Sequence, residues 1–249
     1  MSGHSKWSTI KRKKGAVDAK RGKIFTRLIK EITIAAREGV SDPDSNPRLR
    51  LAVQNAKGAN MPKDNIERAI KKATGADATS YLESTFEGYG PYGIAVFVES
   101  LSDNNNRTVS SIRAAFNKFG GSLGTNGSLS FLFERKAIFT ISREAEMAME
   151  ELELELIDGG AEEIETDEDV ITVTCALEDF GNLQRKLEEL NIEAMSAELQ
   201  RIPNETKSLD LESSKKLLRL IDALEDDDDV QNVFHNLEMT DELAADLSK

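Results

Sequence analysis

The first 75 positions carry apolar residues at intervals of three and four, which is the period of amphipathic helices. In segment 23–37, KIFTRLIKEITIAAR, these spacings place the apolar residues on one helical face and four cations on the other. The four are Lys23, Arg27, Lys30 and Arg37. A second helix is predicted from Pro47, after the turn-rich stretch 41–47, and a third from near Pro62 to Gly75. The pattern predicts a three-helix domain.

After a polar linker at 74–80 the period changes. GIAVFVES (93–100) has the composition of a buried strand, 103–121 that of a helix ending at paired glycines, and SLSFLFE (128–134) that of another strand. Residues 135–204 then read strand, helix, two strands, helix, strand, which is the ferredoxin-like order. Within them, 150–157 alternates like a strand, but a helix is favoured because Asp158-Gly159-Gly160 is a natural stop.

Segments 211–225 and 230–239 predict one further helix and one further strand. A single helix and strand cannot bury themselves, so we assign them to the middle domain, with the ferredoxin-like module inserted between its halves. The predicted fold class is α+β, with an N-terminal three-helix domain followed by two ferredoxin-like α/β domains, the third inserted into the second. The predicted boundaries are 1–78, 79–134 plus 205–240, and 135–204. The final TDELAADLSK is expected to be a loosely held tail.

Charge divides the chain in the same way. The net charge is −13, yet residues 1–75 contain 18 Lys or Arg and 7 Asp or Glu, a net of +11, whereas the remaining 174 residues have a net of −24. Such asymmetry predicts a basic module that meets a polyanion and an acidic body that nucleic acid repels. One alternative stays open, namely that the basic and acidic parts attract each other within the fold.

Composition excludes several classes of protein. One cysteine, Cys175, allows no internal disulfide, and two histidines without a cysteine pair argue against a Cys/His zinc site. No apolar run is long enough to span a membrane, and Met1 is not followed by an apolar signal core. We therefore expect a cytoplasmic chain with no cofactor and no metal, monomeric in isolation; its basic runs leave nuclear import as a weaker alternative.

Two catalytic patterns occur in the wrong context. Gly88 to Gly93 matches GxGxxG, but it precedes a strand instead of opening a helix, and Gly120 to Gly124 matches GxSxG between a helix and a strand. The acidic run 225–229 is expected to be a solvated turn. The sequence predicts no catalytic residue, so a hydrolase or nucleotide-binding enzyme is the least favoured function.

The most basic segment, SKWSTIKRKKGAVDAKRGK (5–23), contains eight Lys or Arg and one acid. Trp7 is interpreted either as a stacking platform for an unpaired base or as a cap on the helical core. The predicted nucleic-acid-binding residues are Lys6, Trp7, Lys11, Arg12, Lys13, Lys14, Lys20, Arg21, Lys23, Arg27 and Lys30.

Several segments together resemble the YebC/PmpR family, whose mitochondrial members are translational activators of cytochrome oxidase. The resemblance is dense over residues 3–136 and collinear to about 238. The segments that carry it are GHSKWSTIKRKKGAVDAKRGKIFTRLIKEI, NPRLR (46–50), NMPKDNIERAIKKATG (60–75), EGYGPYG (87–93), DNNNRT, GSLG (121–124) and FLFERK (131–136). Two positions depart from the family pattern: Asn105 stands where Arg is common and Tyr92 where Gly is common.

The resemblance implies a three-domain, non-enzymatic protein of the cytoplasm or mitochondrion that engages nucleic acid. It leaves two functions open: a DNA-binding transcriptional regulator and a ribosome-associated factor that relieves stalls. Lys and Arg neutralise phosphate without choosing a sequence, and the basic face of 23–37 offers no compelling base-reading set. A small basic arm is suited to structured RNA. We therefore favour ribosomal RNA and a translation factor, with DNA as the alternative.

Overall fold

The computed structural model describes residues 18–75, 80–144 and 148–247, with side chains from residue 22 onward. Its elements are α1 Asp18–Glu38, α2 Pro47–Gly58, α3 Lys63–Ala73, β1 Leu82–Tyr89, β2 Ala95–Ser102, α4 Asn105–Lys118, β3 Ser122–Leu123, β4 Phe133–Ser142, α5 Met149–Asp158, β5 Ala161–Thr166, β6 Val170–Ala176, α6 Phe180–Glu189, β7 Ala194–Pro203, α7 Leu211–Glu225, β8 Val230–His235 and α8 Asp241–Leu247.

The three predicted helices of the basic domain are present. They share a core of small and branched residues: Ile32, Ala35, Ala36, Leu49, Ala52, Ala56, Met61, Ile66, Ala69 and Ala73. Asn46 connects α1 to α2, because its Oδ1 accepts from the Leu49 amide at 3.1 Å and its Nδ2 donates to the Ala35 carbonyl at 2.8 Å. A polar residue at the N-cap thereby satisfies both helix ends.

The two sheets are both four-stranded and antiparallel. The first has the order β3-β1-β2-β8, and α4 and α7 pack on one of its faces around Phe116 and Leu217. The second has the order β5-β6-β4-β7, the ferredoxin-like arrangement, with α5 and α6 packed on it around Leu156 and Leu183. All strands of the second sheet lie between β3 and α7 in the chain, which confirms the insertion. Segment 150–157 is helical, as predicted.

One predicted strand, 128–134, does not form where the sequence pattern placed it. Of the segment 128–134, residues Ser130–Leu132 form a 3₁₀ turn and a strand begins only at Phe133, in the second sheet. The fourth strand of the first sheet is the two-residue β3. The carboxylate of the buried Glu87 accepts from the amides of Gly127 at 2.7 Å and Leu129 at 2.5 Å, so the Leu129 donor is not available to a strand ladder.

The prediction of a loose C-terminal tail was wrong. Residues 241–247 form α8, and Leu243 is 1% exposed in the core under α7. Burial of Leu243, with Ala244 and Leu247 packed partly buried beside it, anchors this segment to the core. In the part of the chain that the structure describes, no helix has both the length and the apolar character needed to cross a membrane.

Candidate nucleic-acid interface

Helix α1 carries the described part of the predicted binding face, and that face contacts the acidic turn before β8. Lys23 Nζ lies 2.5 Å from Asp226 Oδ1, and Arg27 Nη2 donates to the Glu225 carbonyl oxygen at 2.6 Å. Both side chains remain partly exposed. Lys23 and Arg27 therefore hold α1 against the middle domain and present only part of their surface to solvent.

Lys30 is buried, which corrects its placement on a solvent-facing surface. It is 8% exposed, and its Nζ donates to the carbonyl oxygens of Leu101 at 3.1 Å and Asp228 at 2.6 Å and to Asp229 Oδ1 at 3.1 Å. The helical period correctly placed Lys30 opposite the core of its own domain. It could not reveal that the middle domain covers this opposite face.

Asp229 is the centre of this junction. It is 4% exposed and accepts from the guanidinium of Arg107 at 2.7 to 3.0 Å and from the hydroxyl of Thr108 at 3.0 Å, besides Lys30. Burial acts to raise the pKa of this carboxyl, but hydrogen bonds from Arg107, Lys30 and Thr108 outweigh it and lower the pKa. A buried carboxylate is retained because three donors satisfy it.

The sequence interpretation of 225–229 as a solvated turn was thus incomplete. Asp228 faces solvent, but Asp229 directly precedes the buried strand β8, and this position is the signal that separates it from the rest of the run. For Lys23, Arg27 and Lys30, the alternative that basic and acidic parts attract each other holds. Among the described residues, no group of three or more histidines, cysteines or acids converges as a metal site.

The side chains of the remaining predicted binding residues are not among those that the structure describes. Lys6, Trp7, Lys11, Arg12, Lys13 and Lys14 lie outside the described residues. Lys20 and Arg21 lie in α1, ahead of the first described side chain.

Helix α3 supplies exposed cations that the sequence prediction omitted. Lys63, Arg68, Lys71 and Lys72 are all exposed on the side away from the buried Ile66, Ala69 and Ala73. The side chains of Lys71 and Lys72 form no ion pair with any described residue. The same three-four spacing that located the core of α3 also marked these positions as its solvent face.

Helix α2 fixes the helical domain against the inserted domain. Asn55 Nδ2 donates to the Ala197 carbonyl at 2.9 Å and its Oδ1 accepts from the Ala197 amide at 2.9 Å, while Gln54 donates to the Ala194 carbonyl at 2.9 Å. These contacts cover β7, an edge strand, whose backbone groups would otherwise be open to pairing. At the end of α2, a Cβ on Gly58 would lie 1.8 Å from the Met195 carbonyl oxygen, so only glycine allows this approach.

Glu31 lies where the three domains meet. Burial and the negative charge of Glu198 of the inserted domain together raise its pKa to about 7, although Arg48 and Arg27 act to lower it. The protonated form is therefore favoured in the folded protein below about pH 7.

The structure agrees with the rejection of both catalytic patterns. The segment from Gly88 ends β1 and leads through a 3₁₀ turn into β2, and Ser122 belongs to β3 instead of a strand-to-helix elbow. Cys175 is fully buried, and burial raises the pKa of its thiol to about 11, which disfavours the reactive thiolate.

Comparison with known families gives two matches that together span most of the chain. Residues 5–76 match the model described as the TACO1/YebC protein N-terminal domain. Residues 81–237 match the model described as the TACO1/YebC second and third domain.

Individual relatives agree with these matches. A "Probable transcriptional regulatory protein" of Amoebophilus asiaticus is 52% identical over 239 residues, covering 95% of this chain and 98% of its own, and one of Rubrobacter xylanophilus is 51% identical over 250 residues, covering 100% of both. The crystal structure of a conserved hypothetical protein from Aquifex aeolicus is similar with a TM-score of 0.78 at 42% identity, over 89% of this chain and 91% of that one.

Proposed function

Since the chain belongs to the TACO1/YebC family, we propose that it is a non-enzymatic, nucleic-acid-binding regulator of gene expression whose basic helical domain makes the main contact. The observation that carries the proposal is the separation of charge, +11 on residues 1–75 against −24 on the rest. A polyanion is attracted to the first part and repelled by the second.

The contact surface that we propose combines two sets of cations. One is the sequence-predicted basic segment, from Lys6 to Arg21. The other is the exposed face of α3, where Lys71 and Lys72 point away from the core. Lys23 is ion-paired with Asp226 and Arg27 is hydrogen-bonded to the Glu225 carbonyl oxygen, so both are expected to contribute less.

RNA on the ribosome is our preferred target. The exposed cations of α3 are lysines and an arginine, which suit phosphate contacts. The Asn65 side chain of α3 accepts a hydrogen bond from Arg68 instead of being presented for a base edge. A surface that neutralises phosphate without reading bases suits structured RNA, and we infer a translation factor that relieves stalls. The relatives' name, probable transcriptional regulatory protein, favours the second candidate, a DNA-binding transcriptional regulator.

The first experiment locates the surface. In one variant Lys11, Arg12, Lys13 and Lys14 are replaced by Ala, and in another Lys63, Arg68, Lys71 and Lys72 are. Each variant is expected to bind RNA more weakly, as measured by fluorescence anisotropy. The slope of log affinity against log salt concentration is expected to fall by about one unit per lost phosphate contact. Arg143→Ala with Arg185→Ala removes two exposed cations of the inserted domain and serves as control. Equal losses in all three variants would refute the placement.

The second experiment identifies the polyanion. Cell extract is sedimented through a sucrose gradient with and without ribonuclease, and crosslinked nucleic acid is sequenced. Ribonuclease-sensitive co-sedimentation with ribosomes and crosslinks to ribosomal RNA are expected. Crosslinks confined to promoter DNA would overturn the preference for RNA and support the transcriptional regulator.

A further inference from the structure

The acidic part of the chain, residues 76–249, contains one long stretch without any Asp or Glu. From residue 104 to residue 133 there is no Asp or Glu, and the stretch carries Arg107, Arg113 and Lys118. It comprises α4, β3 and the glycine-rich loop that follows β3. Arg107 is paired with Asp103 and Asp229, whereas Arg113 and Lys118 form no ion pair with any described residue, so these two cations remain available to a polyanion.

A cleft lies between α4 and this loop. Its volume is about 280 Å³, and it is lined by Ser84, Thr85, Phe86, Asn105, Val109, Arg113, Leu123, Gly124 and Asn126. The lining combines three apolar side chains with hydroxyl, amide and guanidinium groups, and no carboxylate is among these described residues. An apolar floor with a few convergent polar groups is the usual build of a small-ligand site.

Two side chains of the cleft, Arg113 and Asn105, have donors to offer a ligand. Arg113 is exposed and forms no hydrogen bond or ion pair with another described residue. The Ser84 hydroxyl donates to Asn105 Oδ1 at 3.2 Å, so the acceptor of that amide is occupied within the protein. A guanidinium suits a phosphate, and an amide suits the edge of a base.

The loop wall of the cleft is held in place by a buried acid. Glu87 is 3% exposed and receives the Gly127 and Leu129 amides, while its own carbonyl oxygen accepts from the Gly124 amide at 2.7 Å. Gly124 is close to its neighbours, since an added Cβ would lie 3.2 Å from the same carbonyl oxygen. The wall is therefore preorganised, which lowers the entropy cost of binding.

The cleft adjoins the helical domain. Glu83, the residue before Ser84, is ion-paired with Arg48 of α2, and Arg107 and Thr108 at the start of α4 hold the Asp229 that receives Lys30. The helical domain therefore packs beside the N-terminal end of α4, which forms one wall of the cleft.

We propose that the cleft between α4 and the β3 loop binds one nucleotide of an unpaired RNA segment that the basic domain also contacts. Arg113 pairs with its phosphate, the amides of Asn105 and Asn126 meet the base edge, and Phe86, Val109 and Leu123 form the apolar floor beneath the base. This inference rests on the proposed function and adds a second contact site to it.

The test uses the full chain and a fluorescein-labelled 12-nucleotide oligouridylate, with affinity read by anisotropy. Arg113→Gln removes the phosphate contact and Asn126→Asp puts a carboxylate into the cleft; each is expected to weaken binding about three- to ten-fold. Lys118→Gln removes an equal charge from the same helix outside the cleft and is expected to change affinity less than about two-fold. Thermal unfolding of each variant verifies the fold.

Crosslinking gives a second, independent readout. With 4-thiouridine in the oligonucleotide, mass spectrometry is expected to find crosslinks within 84–86, 105–113 or 123–126 besides those in the basic domain. Crosslinks in the basic domain alone, or equal effects of Arg113→Gln and Lys118→Gln, would overturn the cleft site while leaving the proposed function intact. Absence of RNA binding by the unaltered protein would overturn both.

Competition with free uridine monophosphate distinguishes a strand from a mononucleotide. Millimolar or weaker binding is expected, because a single nucleotide lacks the contacts with the basic domain. Micromolar binding that Arg113→Gln abolishes would make the cleft a receptor for free nucleotides and would overturn the strand proposal.

Discussion

At the scale of single residues, Asp229 fixes helix α1 against the middle domain by accepting a hydrogen bond from Lys30. One carboxylate takes hydrogen bonds from Lys30 of the helical domain and from Arg107 and Thr108 of the middle domain. Removing one member of a buried ion pair leaves the other charge uncompensated, which costs far more than the net value of the intact pair.

Replacing Asp229 with Asn is therefore expected to lower the free energy of unfolding by about 3 kcal/mol, because Lys30 remains buried without its counter-charge. Urea unfolding measures the change. Asp228→Asn, at an exposed position one residue earlier, is the control and is expected to change stability by less than about 1 kcal/mol. Equal effects of the two changes would show that Asp229 is not the anchor.

Glu31 makes stability depend on pH in the opposite sense to most carboxyls. Because its pKa is raised from 4.5 to about 7, its contribution to stability is fully present below pH 4.5 and is lost as the pH rises through 7. Glu31→Gln, which mimics the protonated form, is expected to exceed the stability of the unaltered protein by at most about 1 kcal/mol at pH 5 and by about 1 to 3 kcal/mol at pH 8.

Urea unfolding at the two pH values tests this expectation. Glu67→Gln changes an exposed glutamate on α3 and should shift stability equally at both. A gain at pH 8 no larger than that at pH 5 would contradict a raised pKa at Glu31.

At the scale of elements, close approach of α2 to β7 joins the helical and inserted domains. Asn55 makes two hydrogen bonds to the backbone of Ala197, and Gly58 leaves room for the Met195 carbonyl. The sequence predicted both elements, but it contains no local signal for their pairing.

Gly58→Ala is expected to destabilise the protein by about 1 to 3 kcal/mol, although alanine is the better helix former, because the new methyl group displaces α2 from β7. Faster hydrogen exchange at the Ala197 amide, which Asn55 now protects, would accompany the loss. Gly22→Ala lies inside α1 with no atom of the described residues within 4 Å of the new Cβ and should instead stabilise by up to about 1 kcal/mol. A stabilised Gly58→Ala would exclude the close contact.

Elements were predictable where their own side chains define them. The three basic-domain helices, α5, and the strand and helix order of the inserted domain follow from local periodicity and stop signals. β3 and α8 could not be predicted in this way. A two-residue strand has no period, and α8 depends on burial of Leu243 against α7, which is distant in the chain. The displaced strand at 128–134 depends on Glu87, some 40 residues earlier in the chain.

At the scale of the whole molecule, charge is separated between domains, and yet opposite charges meet where α1 contacts the acidic turn. The acidic turn touches the cationic side of α1 through Asp226 and Lys23, so it competes with any polyanion that approaches there.

Asp226→Asn with Asp228→Asn is therefore expected to strengthen RNA binding about two- to five-fold, since the local repulsion is reduced. Glu151→Gln with Glu153→Gln changes net charge equally on α5 of the inserted domain and is expected to have a smaller effect. Anisotropy at a fixed salt concentration compares them. Equal gains would assign the effect to overall charge instead of position, and unchanged binding by the first variant would place the turn outside the interface.

The sequence by itself determined the three-domain order, the family resemblance and the location of the charges, because periodicity, stop signals and composition are local properties of the chain. The tertiary structure alone decided which charges remain available. Lys30 and Asp229 lie 199 positions apart, and only packing of α1 against the turn before β8 removes both from water. The cleft beside α4 arises in the same way, since its walls come from β1, α4 and the loop after β3, and desolvation and close approach depend on neighbours that chain order does not reveal.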